Sequence, residues 1–220
     1  MPGVPTTRVR RSQEMRSDES RAKILAAAER AFARDGLAGA RTDAIAAEAG
    51  LNKALLYYYF KSKASLYEAV IEQHMRAFNE QALAVLHAPG PAGAHLLRYV
   101  DLHFDFISQR RRHAPLFQQL MMKGGQPPER LFRQYILPRA DALRKLLERG
   151  MRQGELRKAD PFHTAVSIVG LIVFYFSAAP VLQQMGYPDP YAPASLKQRK
   201  QAVIQFIRHG LFINPNNPTP

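Results

Sequence analysis

The chain of 220 residues predicts an all-α protein in two parts, a small N-terminal group of short helices followed by a larger helical domain. Three observations carry that expectation. Apolar residues recur at three- and four-residue spacing along most of the chain, and no segment shows the strict alternation of a half-buried strand. Capping residues and glycines punctuate residues 17–63 at short intervals, whereas later helices run longer. The stretch HAPGPAG, residues 87–93, holds two prolines and two glycines and reads as a hinge between an N-terminal module and the remainder.

Taken in order, residues 1–16 contain Pro2, Gly3, Pro5 and the arginines Arg8, Arg10, Arg11 and Arg16. They predict a flexible basic arm, read either as a solvated tail or as a segment that follows a phosphate backbone or enters a minor groove. No apolar stretch follows these arginines, so the segment is not a secretory signal. The first helix is expected from Ser17 or Asp18 as N-cap, with Asp18 and Glu19 at the positive end of its dipole. Ile24, Ala28, Ala31 and Phe32 form its apolar stripe, and Gly36 stops it in a left-handed conformation. Thr42 is the expected cap of a second, short helix whose face is Ile45, Ala46 and Ala49, with Gly50 as its stop. Asn52 caps a third, KALLYYYF, and Ser62 caps a fourth on which Leu66, Val70, Gln73 and Ala77 trace one side. Beyond the hinge, helices are expected over about 95–110, 115–123, 129–152, 161–180 and 196–212. The corresponding parts are a head over 17–63, a larger domain over 64–213 and a disordered tail over 214–220.

The formal net charge of +13 favours polyanionic partners, but residues 1–63 hold 12 Lys and Arg against 7 acids, so the surplus is spread over the chain. There is no cysteine, which excludes disulfides and thiolate metal sites and suits a reducing cytoplasm. The seven histidines, His74, His87, His95, His103, His113, His163 and His209, show no metal-ligand spacing. No Ser-His-Asp arrangement and no glycine-rich phosphate loop can be argued from spacing either. The expectation is no metal, no cofactor and no enzymatic activity. The most apolar run, residues 165–179, is shorter than the roughly 20 residues of a membrane span. It carries Ser167, Gly170 and Ser177, and reads as a helix buried on all sides rather than a membrane partner. Residues 110–112, RRR, are either cations at the negative end of a helix dipole or a clamp for an anionic ligand. The GxxxG string at 150–154 marks a close approach or a fraying helix end.

Two short helices joined by a glycine turn outline a helix-turn-helix, whose second helix presents its N-terminal half to a DNA major groove. The string TDAIAAEAGLNKALLYYYFKSKASLYEAV, residues 42–70, resembles the helix-turn-helix of the TetR family of transcriptional regulators, and ILAAAERAFARDG, residues 24–36, resembles the helix that precedes it there. The resemblance implies that Thr42, Asn52, Lys53, Ala54, Tyr57, Tyr58, Tyr59 and Lys63 match positions that touch phosphates or bases. Thr42, Tyr57, Tyr59 and Lys63 are expected on phosphates, and Lys53, Ala54 and Tyr58 nearest the base edges. Helical geometry separates the three tyrosines: Tyr59 leans toward Leu56 and Phe60, Tyr58 shares the outer face with Ala54, and Tyr57 lies on the flank. The family often has Gly where this chain has Ala54, whose methyl either holds the backbone off the groove or reads a thymine. Leu55 either packs or lies against DNA.

For the larger domain the resemblance implies an effector pocket and a dimer interface. His103, Phe104, Phe117, Met121, Tyr135, Leu171 and Tyr175 are the pocket candidates, each more readily read as plain core than as ligand contact, with Met121 and Met122 as an adaptable wall. The last two helices are expected to pair with their copies in a four-helix bundle, with Ile168, Ile172, Phe176, Val203, Phe206 and Ile207 at the interface. The implied protein is a cytoplasmic, homodimeric, one-component transcription factor, a repressor of a palindromic double-stranded operator that it leaves on binding an unknown small-molecule effector. On the operator it is part of the bacterial nucleoid. An activator or unliganded regulator of the same fold, and a basic helical enzyme, are the rival readings.

Overall fold

The computed structural model describes residues 6–109 and 129–215, and for residues 6–14 the backbone alone. The expected helix over 115–123, the arginines at 110–112, the pocket candidates Phe117 and Met121 with Met122, and residues 216–220 of the tail lie outside the described residues. The described elements are α1 (Thr6–Gly39), α2 (Thr42–Glu48), α3 (Lys53–Phe60), α4 (Lys63–Leu86), α5 (Ala92–Gln109), the single turn α6 (Glu129–Leu131), a π-helical turn (Phe132–Ile136), α7 (Leu137–Arg152), α8 (Pro161–Gln184) and α9 (Pro193–Leu211). A lone antiparallel bridge joins Leu156 and Phe212. The described residues divide into two compact units, up to Gln73 and from His74, so the division falls inside α4.

In the first unit α1, α2 and α3 pack on one another around Ile24, Ala28, Phe32, Ile45, Leu56 and Phe60, all buried. Phe32 meets Tyr67 edge to face at 5.1 Å. The described helix already includes Thr6, so residues 6–16 are helical where the sequence predicts an arm, and Ser17 lies inside the helix rather than at its cap. Gly36 interrupts α1 with φ 67° and ψ 177°, a backbone setting that a side chain would strain. Thr42 is the first residue of α2, not its cap; Arg41 holds the cap position with no side-chain bond. The reason is that the Thr42 hydroxyl has turned to Tyr57. Asn52 does cap α3, its Oδ1 accepting the Leu55 N–H at 2.8 Å, and the Ser62 hydroxyl accepts from Ser65 N at the head of α4.

In the second unit Phe78, Ala82 and Leu86 before the loop at 87–93 share a core with Leu96, Tyr99 and Val100 after it. That shared core places the loop inside the second unit instead of between modules. The next helix starts at Ala92 rather than at His95 because the Glu155 carboxylate accepts the N–H groups of Ala92 and Gly93 at 3.0 and 2.7 Å. Residues 150–154 resolve into two glycines with different duties. A Cβ on Gly150 would stand 2.7 Å from Leu156 Cδ1, so this is a close approach, while Gly154 turns the chain with φ 74°. The helix expected over 129–152 carries a π turn. Pro138 cannot donate to the carbonyl four residues back, and the ladder slips so that Leu137 N–H reaches Phe132 O.

α8 runs through Pro180 to Gln184 instead of stopping at the proline. Its 24 residues, with a mean hydropathy of 2.2 in the most apolar window, are long and apolar enough to cross a membrane by length and composition. Within one chain it is not buried on all sides. Thr164, Ile168, Ile172, Phe176 and Ala179 form a stripe at four- and three-residue spacing that is buried, while Phe162, Val166, Val173, Phe174 and Val181 are exposed. Val203 and Ile207 of α9 belong to the same core. Five of the six expected interface residues, Ile168, Ile172, Phe176, Val203 and Ile207, therefore face their own chain, and only Phe206, 67% exposed, faces outward. The helical spacing that marked them is the spacing of the inward stripe.

Candidate nucleic-acid interface

α3 is held by its inner face. Leu56 and Phe60 are buried against α1 and α2, and Arg21 of α1 stacks over the Phe60 ring at 5.4 Å. The rotation this imposes settles the tyrosines. Tyr58 is 69% exposed beside exposed Lys53 and Ala54, Tyr57 is 38% exposed on the flank, and Tyr59 is half-buried. Each hydroxyl then has its own surroundings. Tyr57 Oη lies 3.3 Å from Thr42 Oγ1, and Tyr59 Oη donates to Ser17 Oγ at 3.1 Å. Tyr58 packs edge to face on Tyr59 at 5.2 Å with Lys61 Nζ 5.6 Å from its ring centroid, and its ring stays at the surface.

Three cations border this face, and each is tethered differently. Lys53 Nζ pairs with Asp43 at 2.7 Å across the turn, and the hydrogen bond raises the lysine pKa and lowers that of the carboxyl. Lys63 Nζ donates to the carbonyls of Ala38 and Ala40 at 3.2 and 3.1 Å, which fastens the end of α1 to the start of α4. Lys61 sits at φ 58° where α3 ends. Asn52 spends its oxygen on the α3 cap, which leaves its amide N–H groups for another acceptor. The sequence thus brings Thr42 to Tyr57 and Lys53 to Asp43, and it gathers Lys53, Ala54 and Tyr58 on one outward surface. Ser17 as the partner of Tyr59, 42 residues away, carries no sequence signal.

The described pocket candidates fall into three groups. His103 is buried with its ring 4.6 Å from Phe78 and 5.5 Å from Tyr99. Phe104 packs on Phe176 at 5.1 Å, and Tyr175 meets Phe176 edge to face at 5.5 Å, its hydroxyl donating to Pro190 O. Leu171 is partly buried and gives its carbonyl to Arg199. Tyr135 is buried, and its hydroxyl accepts from Arg76 Nε at 3.4 Å. A separate groove of about 610 Å³, with Val85, Leu97, Asp101 and Arg208 among its walls, includes none of the candidates. The polar residues that sequence reasoning missed are Arg139 and Asn79. Their signal was available: each interrupts a helical apolar stripe, Tyr135-Arg139-Leu143 and Met75-Asn79-Leu83.

A short brace helix, a glycine turn and a second helix that exposes its outer N-terminal half, followed by a larger helical domain, define a helix-turn-helix DNA-binding transcriptional regulator. Residues 24–70 match the bacterial regulatory proteins of the tetR family, and residues 94–207 match the tetracyclin repressor-like C-terminal domain. The chain belongs to the TetR family, a family of regulators and not of enzymes. It is 40% identical over 86 residues to the HTH-type transcriptional repressor SCO4008 of Streptomyces coelicolor, covering 39% of this chain and 43% of that one. It is 35% identical over 98 residues to the HTH-type transcriptional activator FasR of Mycolicibacterium smegmatis, covering 44% and 45%. The chain thus spans under half the length of these two curated relatives. A transcriptional regulator from Saccharomonospora viridis, solved in complex with choline, shares the fold with a TM-score of 0.73 at 22% identity, over 89% of this chain and 98% of that one.

Proposed function

We propose that the chain is a ligand-responsive repressor that binds a palindromic operator as a homodimer. The observation that carries this is the outer surface of α3, where Lys53, Ala54 and Tyr58 stand exposed side by side while Leu56 and Phe60 fix the helix from behind. On this reading Lys53 donates to guanine, Ala54 or Leu55 meets a thymine methyl, and Tyr58 lies over the base edges. Thr42, Asn52, Tyr57, Tyr59 and Lys63 position the helix on phosphates. The exposed apolar face of α8, with Phe206 of α9, supports a second copy of the chain as partner. Two heads related by a two-fold axis read half-sites about one helical turn apart. An effector in the second unit acts by favouring a dimer geometry of lower operator affinity, which requires it to bind the two geometries unequally.

Selection of bound duplexes from a random DNA pool tests this. The expected product is one palindrome preferred by about 10³-fold or more over random DNA, with affinity falling steeply as salt rises. Equal binding to every duplex removes the reading. Tyr58→Ala is expected to abolish that preference with melting unchanged; a collapse of stability would make Tyr58 a core residue. The likeness to an activator favours a second reading, activation from the same operator, which a promoter-reporter assay separates from repression by its sign.

A further inference from the structure

The second unit holds a cation where its fold calls for an apolar side chain. Tyr135, Leu143, Leu146 and Leu147 are buried along one side of the π turn and α7, and Arg139 stands half-buried among them. Its guanidinium lies 4.7 Å from the centroid of Phe78, and Nη1 is 3.5 Å from Asn79 Oδ1, the outer limit of a hydrogen bond. Among the described residues no Asp or Glu pairs with it. Tyr99 offers its hydroxyl, and burial lowers the arginine pKa without removing its charge. A desolvated cation whose neighbours are all neutral, a ring face, a phenol and an amide oxygen at the limit of a hydrogen bond, is an incomplete arrangement. The usual completion is an anion with a planar pair of acceptors.

The surroundings narrow what that anion is. His103 is 7% exposed, its ring rests against Phe78 and Tyr99, and its buried Nδ1 has no hydrogen-bond partner. Burial first, and the Arg139 charge second, hold this imidazole near a pKa of about 3, so it is neutral. Phe78, Tyr99 and Phe106 form an aromatic cluster beside it, with the Phe78 and Phe106 ring centroids 4.6 Å apart. One charged fork, one neutral imidazole and one amide match a single negative charge; a phosphate dianion calls for a second cation. The π turn at Phe132–Ile136 immediately precedes the helix that carries Arg139, a placement that such turns often take at binding sites.

We infer that the effector is a monocarboxylate on an apolar or aromatic body, its carboxylate seated on the Arg139 fork and oriented by Asn79 and His103, with its body against Phe78, Tyr99 and Phe106. This inference rests on the ligand-responsive reading above and assigns the chemistry of its ligand.

The full chain is titrated by calorimetry and thermal shift with benzoate, phenylacetate and hexanoate, and in parallel with benzamide, phenylacetamide and hexanamide. At least one acid is expected to bind and raise the melting temperature where its amide does not. Arg139→Met is expected to weaken that acid by about tenfold or more. Arg139→Lys, which keeps the charge but not the fork, should fall between. Helical circular dichroism is the folding control for both variants. Amides that bind as well as acids, an Arg139→Met protein of full affinity, or no binding by any acid overturns the inference. Operator binding by the wild-type chain, measured with and without the bound acid, tests the other reading separately. An acid that binds through Arg139 yet leaves operator affinity unchanged keeps the site and removes the ligand response.

Discussion

Thr42 Oγ1 lies 3.3 Å from Tyr57 Oη, so the first residue of α2 touches the flank of α3 across the Gly50 turn. Two hydroxyls that share one hydrogen bond keep one O–H free between them, at the half-exposed edge of the helix pair. A phosphate oxygen is the natural acceptor for it.

Thr42→Val and Tyr57→Phe are each expected to weaken operator binding by about five- to tenfold, the size of one hydrogen bond. Because both act on one pair, the double variant should lose less than the product of the two effects. Fluorescence anisotropy against the selected operator measures this, and melting should stay at the wild-type value because the pair is at the surface. Fully multiplicative losses would show that the two hydroxyls work independently.

Gly50 has φ 68°, and a Cβ built there would meet no atom within 4 Å. The space is open, so substitution costs backbone strain alone. Asn, which tolerates the left-handed region, should cost least, Ala about 1 kcal/mol, and the β-branched Val more. Thermal melting of Gly50→Asn, Gly50→Ala and Gly50→Val is expected to fall in that order, with operator affinity following stability. Equal melting in all three would mean that the turn relaxes to a negative φ.

The helix-turn-helix was legible because its signals are local. Asn52, Gly50 and the spacing of Leu56 and Phe60 specify a cap, a turn and an inner face within a dozen residues, and from these the three tyrosines sort themselves. What the sequence hid is non-local. Thr42 lost its expected cap role to a contact with Tyr57, and the start of α5 moved to Ala92 because Glu155, 63 residues on, supplies the cap. On α8 the spacing of Ile168, Ile172 and Phe176 marks a buried stripe equally well whether the far side belongs to the same chain or to a copy. Periodicity finds a face but not its owner.

His103 makes the second unit sensitive to acid. In the unfolded chain its imidazole titrates near 6.5, and in the folded one at about 3, through burial and the charge of Arg139 beside it. Between those values the unfolded state binds the extra proton, so stability falls as pH drops through that window and is unaffected above it. From pH 7 to 5 this single group costs about 2 kcal/mol. His103→Gln should narrow the difference in melting temperature between pH 7 and pH 5, since the other titrating groups act alike in both proteins. An unchanged difference would show that His103 takes up its proton without unfolding.

Phe174 of α8 is 70% exposed and Phe206 of α9 is 67% exposed, on helices whose other faces fill the core of the second unit. Large aromatic side chains left in water beside Val166, Val173 and Val181 make a patch that a monomer rarely keeps open. If a second copy covers it, one buried charge on each side is enough to open the interface, because two like charges then meet near the two-fold axis without partners. Phe174→Glu is expected to convert the dimer to a monomer in sedimentation, while melting of the isolated chain changes little because the side chain makes no core contact. Operator binding should fall by far more than Tyr57→Phe causes, since a single head engages one half-site. A Phe174→Glu protein that stays dimeric moves the interface elsewhere. One that turns monomeric and stops binding vesicles that the wild type binds would assign the same patch to a lipid surface as well.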